Sequence, residues 1–167
     1  MDTVNTTDIE LATFGAGCFW STEKCFRNKF ENNLLSAVVG YMSDTSISDC
    51  DPVCTKSINS VEVLQISFRR QNLAYDDLVR FFFHIHDPTT LNKSGNNRTI
   101  QYRSAIFTHT REQQKIAENI RNEMQSNGKI KGQIITEIQP INGWQFNIAE
   151  EKHQNYLNKK YGWLMQS

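Results

Sequence analysis

Cys18 stands directly after Gly15-Ala16-Gly17 and directly before Phe19-Trp20. Ile9 to Phe14 alternates as a strand does, and Phe19, Phe26 and Phe30 recur at helical spacing. The glycines therefore mark a sharp strand-to-helix turn, with the cysteine at the helix start. At such a place the free backbone N–H groups and the helix macrodipole favour an anion, so the thiol is expected to titrate early and to act as a nucleophile near neutral pH. Read without chemistry, the same residue is a small cysteine that packs, and spacing alone leaves both readings open. Glu62 is the second residue of interest, because it is the only acid in a run rich in Val, Leu and Ile, Val61 to Phe68.

Three further thiols need placing. Cys25 lies seven residues after Cys18 on the same expected helix, about 10.5 Å along the axis at ~1.5 Å per residue. A disulfide wants Cα atoms within about 7 Å, so Cys25 cannot reach Cys18 and is assigned to packing. Cys50 and Cys54 fall in a long polar loop, Ser43 to Ser60, free to swing towards Cys18. His84 and His86 read as structural, and no metal site is expected because His partners for the cysteines are poorly placed.

The elements that must position these groups follow from periodicity. After the first strand and helix come a strand at Leu35 to Tyr41, a strand at Val61 to Phe68 and a helix at Tyr75 to Ile85 stopped by Asp87-Pro88. The third strand is expected to be covered on both faces at one end. A Gly/Asn-rich loop, Asn92 to Thr99, leads to a strand at Arg103 to Thr108. Thr110 with Gln113 forms a capping-box pattern for a third helix ended by Gly128. A last strand is placed at Gln133 to Gln139, then an irregular tail with a short helix around Glu150 to Tyr161. The order β-α-β-β-α-β-α-β predicts an α+β fold: a two-layer sandwich with a ferredoxin-like split β-α-β core, in one domain over residues 1–167.

Composition narrows the function. Lys plus Arg and Asp plus Glu are 18 each, so there is no basic footprint for nucleic acid. No apolar run reaches the ~18–20 residues that span a bilayer, and residues 1–8 lack the pattern of a secretory signal. A cytoplasmic monomer with reduced thiols, bound to no membrane, is expected.

Gly17-Cys18-Phe19-Trp20, followed by Glu23 and Phe26, resembles the nucleophile signature of the peptide methionine sulfoxide reductase A family. The resemblance continues through Val39-Gly40-Tyr41, Val61-Glu62-Val63, His86-Asp87-Pro88-Thr89 and Gln101-Tyr102-Arg103-Ser104-Ala105-Ile106-Phe107. It ends with Phe146, Ala149-Glu150, His153-Gln154 and Tyr156-Leu157. It implies that Cys18 is the nucleophile, that Phe19 and Trp20 cage the substrate methyl group, and that Glu62 and Tyr102 serve the sulfoxide oxygen as acid and hydrogen-bond donor. A glutamate buried against aromatic rings would have a raised pKa and so hold the needed proton.

The chain departs from the family pattern at four places. Asn97 of Gly95-Asn96-Asn97 stands where an aspartate is usual, and it is kept as a substrate-binding candidate. Asp51-Pro52-Val53-Cys54 occupies the place of an oxygen-binding tyrosine. Asn59-Ser60-Val61-Glu62 replaces the usual Gly-His-Ala-Glu in a shortened loop. The tail from Tyr161 carries no cysteine. That leaves Cys54, Cys50 or an external thiol to resolve Cys18, with Cys54 the first choice because the resemblance puts it at the substrate-oxygen end of the pocket.

The resemblance implies thiol-dependent reduction of methionine-S-sulfoxide, free or in proteins, through a Cys18 sulfenic acid. No cofactor is expected beyond an external thiol reductant such as thioredoxin. The alternative is a degenerate member that binds methionine-containing peptides or partners with little turnover.

Overall fold

Phe14 ties the fold together: its ring stacks on Phe26 at 5.3 Å and on Phe82 at 5.4 Å, joining one strand to two helices. Each such pair adds about 0.5–1.5 kcal/mol beyond the burial of its surface. The structure, a computed structural model, describes residues 8–45, 60–91, 93–94, 97–98 and 100–162. In chain order these form β1 (Ile9–Ala16), α1 (Phe19–Phe30), β2 (Leu34–Asp44), β3 (Ser60–Arg69) and α2 (Tyr75–His84). A two-residue ladder of β4 (Lys93–Ser94) and β5 (Asn97–Arg98) follows, then a 3-10 turn at Ile100–Tyr102 and β6 (Ser104–Thr108). The chain continues with α3 (Arg111–Ser126), β7 (Glu137–Pro140), β8 (Trp144–Ile148), a 3-10 turn at Glu151–His153 and α4 (Tyr156–Gly162).

The main sheet runs β7-β6-β1-β3-β2-β8. Its middle four strands, β6-β1-β3-β2, pair antiparallel throughout. β3 thus lies between β1 and β2, the order expected of a split β-α-β unit. Residues of α1, α2 and α3 bury with Ala12, Phe14, Leu64, Ile66, Phe68 and Ile106 in one core. The other sheet face carries a smaller cluster of Met42, Val61, Val63, Ala105 and Phe107, against which Ile141, Trp144 and Phe146 pack. β3 is accordingly buried at every position from Ser60 to Leu64 and alternates beyond, as its sequence pattern predicts.

The expected α+β two-layer fold is the observed one, with two corrections at its end. Gln133 to Thr136 is not strand, and β7 begins only at Glu137. The tail expected to be irregular contains a sixth sheet strand, β8, paired antiparallel to β2. β8 lies so close to β2 that a Cβ on Gly40 would stand 2.4 Å from the Asn147 carbonyl oxygen and 2.6 Å from the Phe146 ring. Only glycine fits there, beside Tyr41, which pairs with Glu62 on β3.

Half of the capping box is made: the Thr110 hydroxyl accepts from the Gln113 N–H at 3.1 Å, while Gln113 Oε1 reaches back one residue further and accepts from the His109 N–H at 3.0 Å. The Gln113 side chain also donates to the Leu11 carbonyl at 2.7 Å, tying α3 to β1.

His86 joins the end of α2 to the start of β6. Its Nδ1 contacts the Phe82 carbonyl at 2.7 Å and its Nε2 the Ser104 hydroxyl at 2.7 Å, which in turn meets the Thr136 hydroxyl at 2.8 Å. Burial lowers the imidazole from its ordinary value to about 4. Because the folded value lies below the unfolded one, the neutral ring contributes stability that is present above pH 6.5 and is lost as pH falls towards 4. The expected loss is up to about 3 kcal/mol at ~1.36 kcal/mol per unit. Denaturant titrations of the wild type and His86→Asn across that window check it: the wild type should lose more stability, and parallel profiles would contradict the assignment.

Candidate active site

Gly17 adopts a left-handed φ of 88°, a conformation open to glycine at no steric cost. It turns β1 into α1 and leaves Cys18 as the N-cap, extended at φ −60° and ψ 125°. The Cys18 carbonyl accepts from the Thr22 N–H at 3.3 Å and the Thr22 hydroxyl at 3.2 Å. The first N–H groups of a helix have no partner within it, and here they are divided between two chemical groups. Phe19 N–H donates to Glu62 Oε1 at 3.3 Å, whereas the Trp20 and Ser21 backbone N–H groups act on the Cys18 thiol and favour its anion. One helix start thus brings the thiol and the carboxyl into a single arrangement.

Glu62 is only 8% exposed and stands in register with Tyr41 on β2. Burial drives its carboxyl up to about 7, and the opposing Phe19 N–H bond only partly offsets this. The raised value expected for this glutamate is what the site produces.

The thiol corrects the sequence reading. Cys18 was expected to titrate early, yet its pKa lies above the ordinary thiol value. Burial is the largest cause; the Trp20 N–H pulls the other way, the Glu62 carboxylate adds a further upward push, and the Ser21 N–H again opposes it. The N–H groups of the helix start do lower the thiol pKa, and burial outweighs either of them.

Glu62→Gln is expected to lower the Cys18 titration, because it removes the negative neighbour while keeping the shape. Ultraviolet absorbance of the thiolate, taken as the difference from Cys18→Ser, reads it directly. A titration unmoved by the substitution would show that the two groups do not share a field.

Two phenols complete the polar part. Tyr102 ends the 3-10 turn before β6, and the residues on either side of it are anchored. Gln101 Nε2 donates to the Ser60 hydroxyl at 3.1 Å, and Arg103 Nε to Glu137 at 3.3 Å. Burial raises the Tyr102 phenol, and the charges of Glu62, Cys18 and Tyr41 push it the same way. Tyr41 is raised by burial first and then by Glu62, Glu150 and Cys18. Both remain O–H donors at neutral pH. Tyr41, which the sequence places at the end of a strand and in the Val39-Gly40-Tyr41 motif without a role, joins the candidate site through its register with Glu62, which only the folded sheet supplies.

The aromatic part is larger than the expected pair. Phe19 is 3% exposed and lies among Trp20 at 6.5 Å, Tyr41 at 5.5 Å and His153 at 5.6 Å. Trp20, half-buried, stacks on Tyr156 at 4.1 Å and 18°. Its indole N–H donates to His153 Nδ1 at 3.3 Å.

The structure therefore gathers Cys18, Phe19, Trp20, Glu62 and Tyr102 and adds Tyr41, His153 and Tyr156. Asn97 has its backbone in β5, paired with Ser94; its side chain lies outside what the structure describes. Cys50 and Cys54 fall outside the described residues. Cys25 is half-buried in the body of α1, the helix running unbroken from Phe19 to Phe30. Among the described residues no three His, Cys, Asp or Glu side chains gather as a metal site would require.

The chain matches the family model described as peptide methionine sulfoxide reductase over residues 10–166. It is 41% identical over 151 residues to a protein of Methanothermobacter thermautotrophicus named peptide methionine sulfoxide reductase MsrA, covering 90% of this chain and 87% of that one. The structure superposes on the reduced form of Mxr1 from Saccharomyces cerevisiae with a TM-score of 0.80 at 35% identity, covering 94% and 88% of the two chains. It also superposes on Mxr1 in complex with Trx2, with a TM-score of 0.63 at 27% identity, covering 92% and 88%.

Proposed function

The chain belongs to the peptide methionine sulfoxide reductase family, and on that premise we propose that it reduces methionine-S-sulfoxide, free or in proteins, in a thiol-dependent cycle on Cys18. The observation that carries this reading is the shared helix start. Trp20 and Ser21 N–H groups favour the thiolate on Cys18, while Phe19 N–H holds a carboxyl that titrates at about 7.

A sulfoxide sulfur resists attack until its oxygen is polarised. In this reading the Cys18 thiolate attacks the sulfur while Glu62 gives its proton to the oxygen, and Tyr102 and Tyr41 donate hydrogen bonds to the charge that grows there. The oxygen ends on the Cys18 sulfur as a sulfenic acid, and methionine leaves. The substrate sulfur gains two electrons and the Cys18 sulfur loses them.

A protonated Glu62 serves twice. It is the acid, and by being neutral it no longer opposes thiolate formation at Cys18.

The sulfenic acid then condenses with a second thiol, releasing water. Cys54 is the first candidate, Cys50 the second, and a thioredoxin-like dithiol reopens the bond; the likeness to Mxr1 bound to Trx2 supports that reductant. No cofactor is invoked. Action as a monomer in the cytoplasm is part of the proposal. Among the described residues no helix is long and apolar enough to cross a membrane.

Turnover with dithiothreitol, read as methionine by chromatography on resolved epimers, tests the reading. Methionine should form from the S epimer alone, because the opposite hand puts the methyl group against the polar donors. Equal rates on both epimers would refute a shaped pocket, and methionine from neither would favour a protein that binds without reducing. A sample given one equivalent of sulfoxide, then thiol-blocked and digested, should yield a peptide linking Cys18 to Cys54.

A further inference from the structure

Trp20 is held from one side by a segment that enters the site from far along the chain. His153 accepts its indole N–H at 3.3 Å, and Tyr156 stacks on its ring at 4.1 Å. An indole nitrogen only donates, so His153 Nδ1 is the acceptor and the ring proton sits on Nε2. Between these two residues lie Gln154 and Asn155, and both are fastened to the body of the protein.

Gln154 acts as a substitute strand residue. Its Oε1 accepts from the Val39 N–H at 2.9 Å, and its Nε2 donates to the Val39 carbonyl at 2.9 Å and the Ala149 carbonyl at 3.0 Å. Asn155 has a φ of 53°, which among the described residues no other non-glycine shares. Its N–H donates to Glu23 Oε1 at 2.7 Å. Glu23 lies on α1, one turn beyond Trp20, and is 1% exposed. Its second oxygen accepts from Arg27 Nε at 2.8 Å, and Arg27 also donates to the Ala37 carbonyl at 2.6 Å. A buried carboxylate on the nucleophile helix thus holds the turn that aims His153 and Tyr156 at Trp20.

We propose that Glu23 and Gln154 are positioning residues for substrate affinity: they fix the segment carrying His153 and Tyr156, and so keep the Trp20 ring in place before the methyl group arrives. The proposal rests on the reductase reading above. A ring already immobilised loses little freedom when substrate binds, and a loosened one must be ordered at that moment. The interaction is the same in the ground and transition states, so the penalty falls on KM and not on kcat.

Glu23→Gln and Gln154→Ala test it, with the exposed neighbour Lys152→Ala as control. Both variants should raise KM by about 3- to 10-fold, with kcat per active molecule within about twofold of wild type. The burst of methionine in a single turnover counts the active molecules and removes any loss through misfolding.

A second measurement is independent of turnover. The Trp20 indole N–H resonance, assigned by its loss in Trp20→Phe, should show faster motion in both variants and not in the control. An unchanged KM, a loss confined to kcat, or an indole as rigid as in wild type would overturn the proposal. If the wild type forms no methionine, the reductase reading fails, and the indole measurement still decides whether the two residues position Trp20.

Discussion

Cys18→Ser should form no methionine above background, whereas Cys25→Ser should retain activity. The oxygen removed from the substrate must end on a sulfur that gives up two electrons, and a serine hydroxyl can neither make that attack nor accept the oxygen. Serine is also a favoured N-cap residue, so the variant should fold at least as well as the wild type, and thermal unfolding checks this. Inactivity therefore cannot be charged to a damaged helix start. Cys25 lies a full two turns along α1, too far to stand in for Cys18. Measurable reduction by Cys18→Ser would move the nucleophile to another thiol and sink the mechanism.

Glu62→Gln should divide activity from stability. Removing a well-placed acid or oxyanion donor typically lowers kcat by about 10²–10³-fold, and that loss is expected at neutral pH. Stability should move the other way. The folded carboxyl titrates at about 7, above its ordinary value of 4.5. Stability from its protonated form is complete below the unfolded value and is lost as pH rises through about 7. Above that pH the wild type holds a buried carboxylate, and the glutamine does not. The variant should then be the more stable protein by up to about 3 kcal/mol at ~1.36 kcal/mol per unit, which denaturant unfolding at pH 8 would register. A kcat within threefold of wild type would place the acid elsewhere. Equal stability at pH 8 would mean that the carboxyl is solvated when ionised.

The parts of this site that were legible in the sequence share one property: each is signalled by its own neighbours. Gly17 and the phenylalanines after it announce the turn and the helix. Glu62 stands out because its strand is otherwise apolar. The capping pair Thr110 and Gln113 is local in the same sense.

What escaped depends on contacts between distant segments. Tyr41 reads as an aromatic in a strand until register sets it beside Glu62. β8 is five residues long and ends on Ile148, which is 68% exposed, so its alternation has no buried face at one end to declare it. The pKa of Cys18 went wrong for the same reason. The helix dipole is a local quantity, but burial and the charge of Glu62 belong to the assembled fold.

The wall around Trp20 is built from residues more than 130 positions further on, and this sets a timetable during synthesis. At ~5–20 residues per second, Tyr156 is added about 7–28 s after Cys18. Over that interval the nascent chain carries the thiol and the Gly17 turn, but not the rings that close the pocket. β6, which pairs with β1 just before that turn, and the adjoining Tyr102 are also late arrivals. The young polypeptide therefore lacks a complete pocket until its last segment docks, and its cysteine meets the cell first as an ordinary thiol. Ribosome-bound intermediates should react with alkylating reagents at Cys18 more readily than the finished protein does.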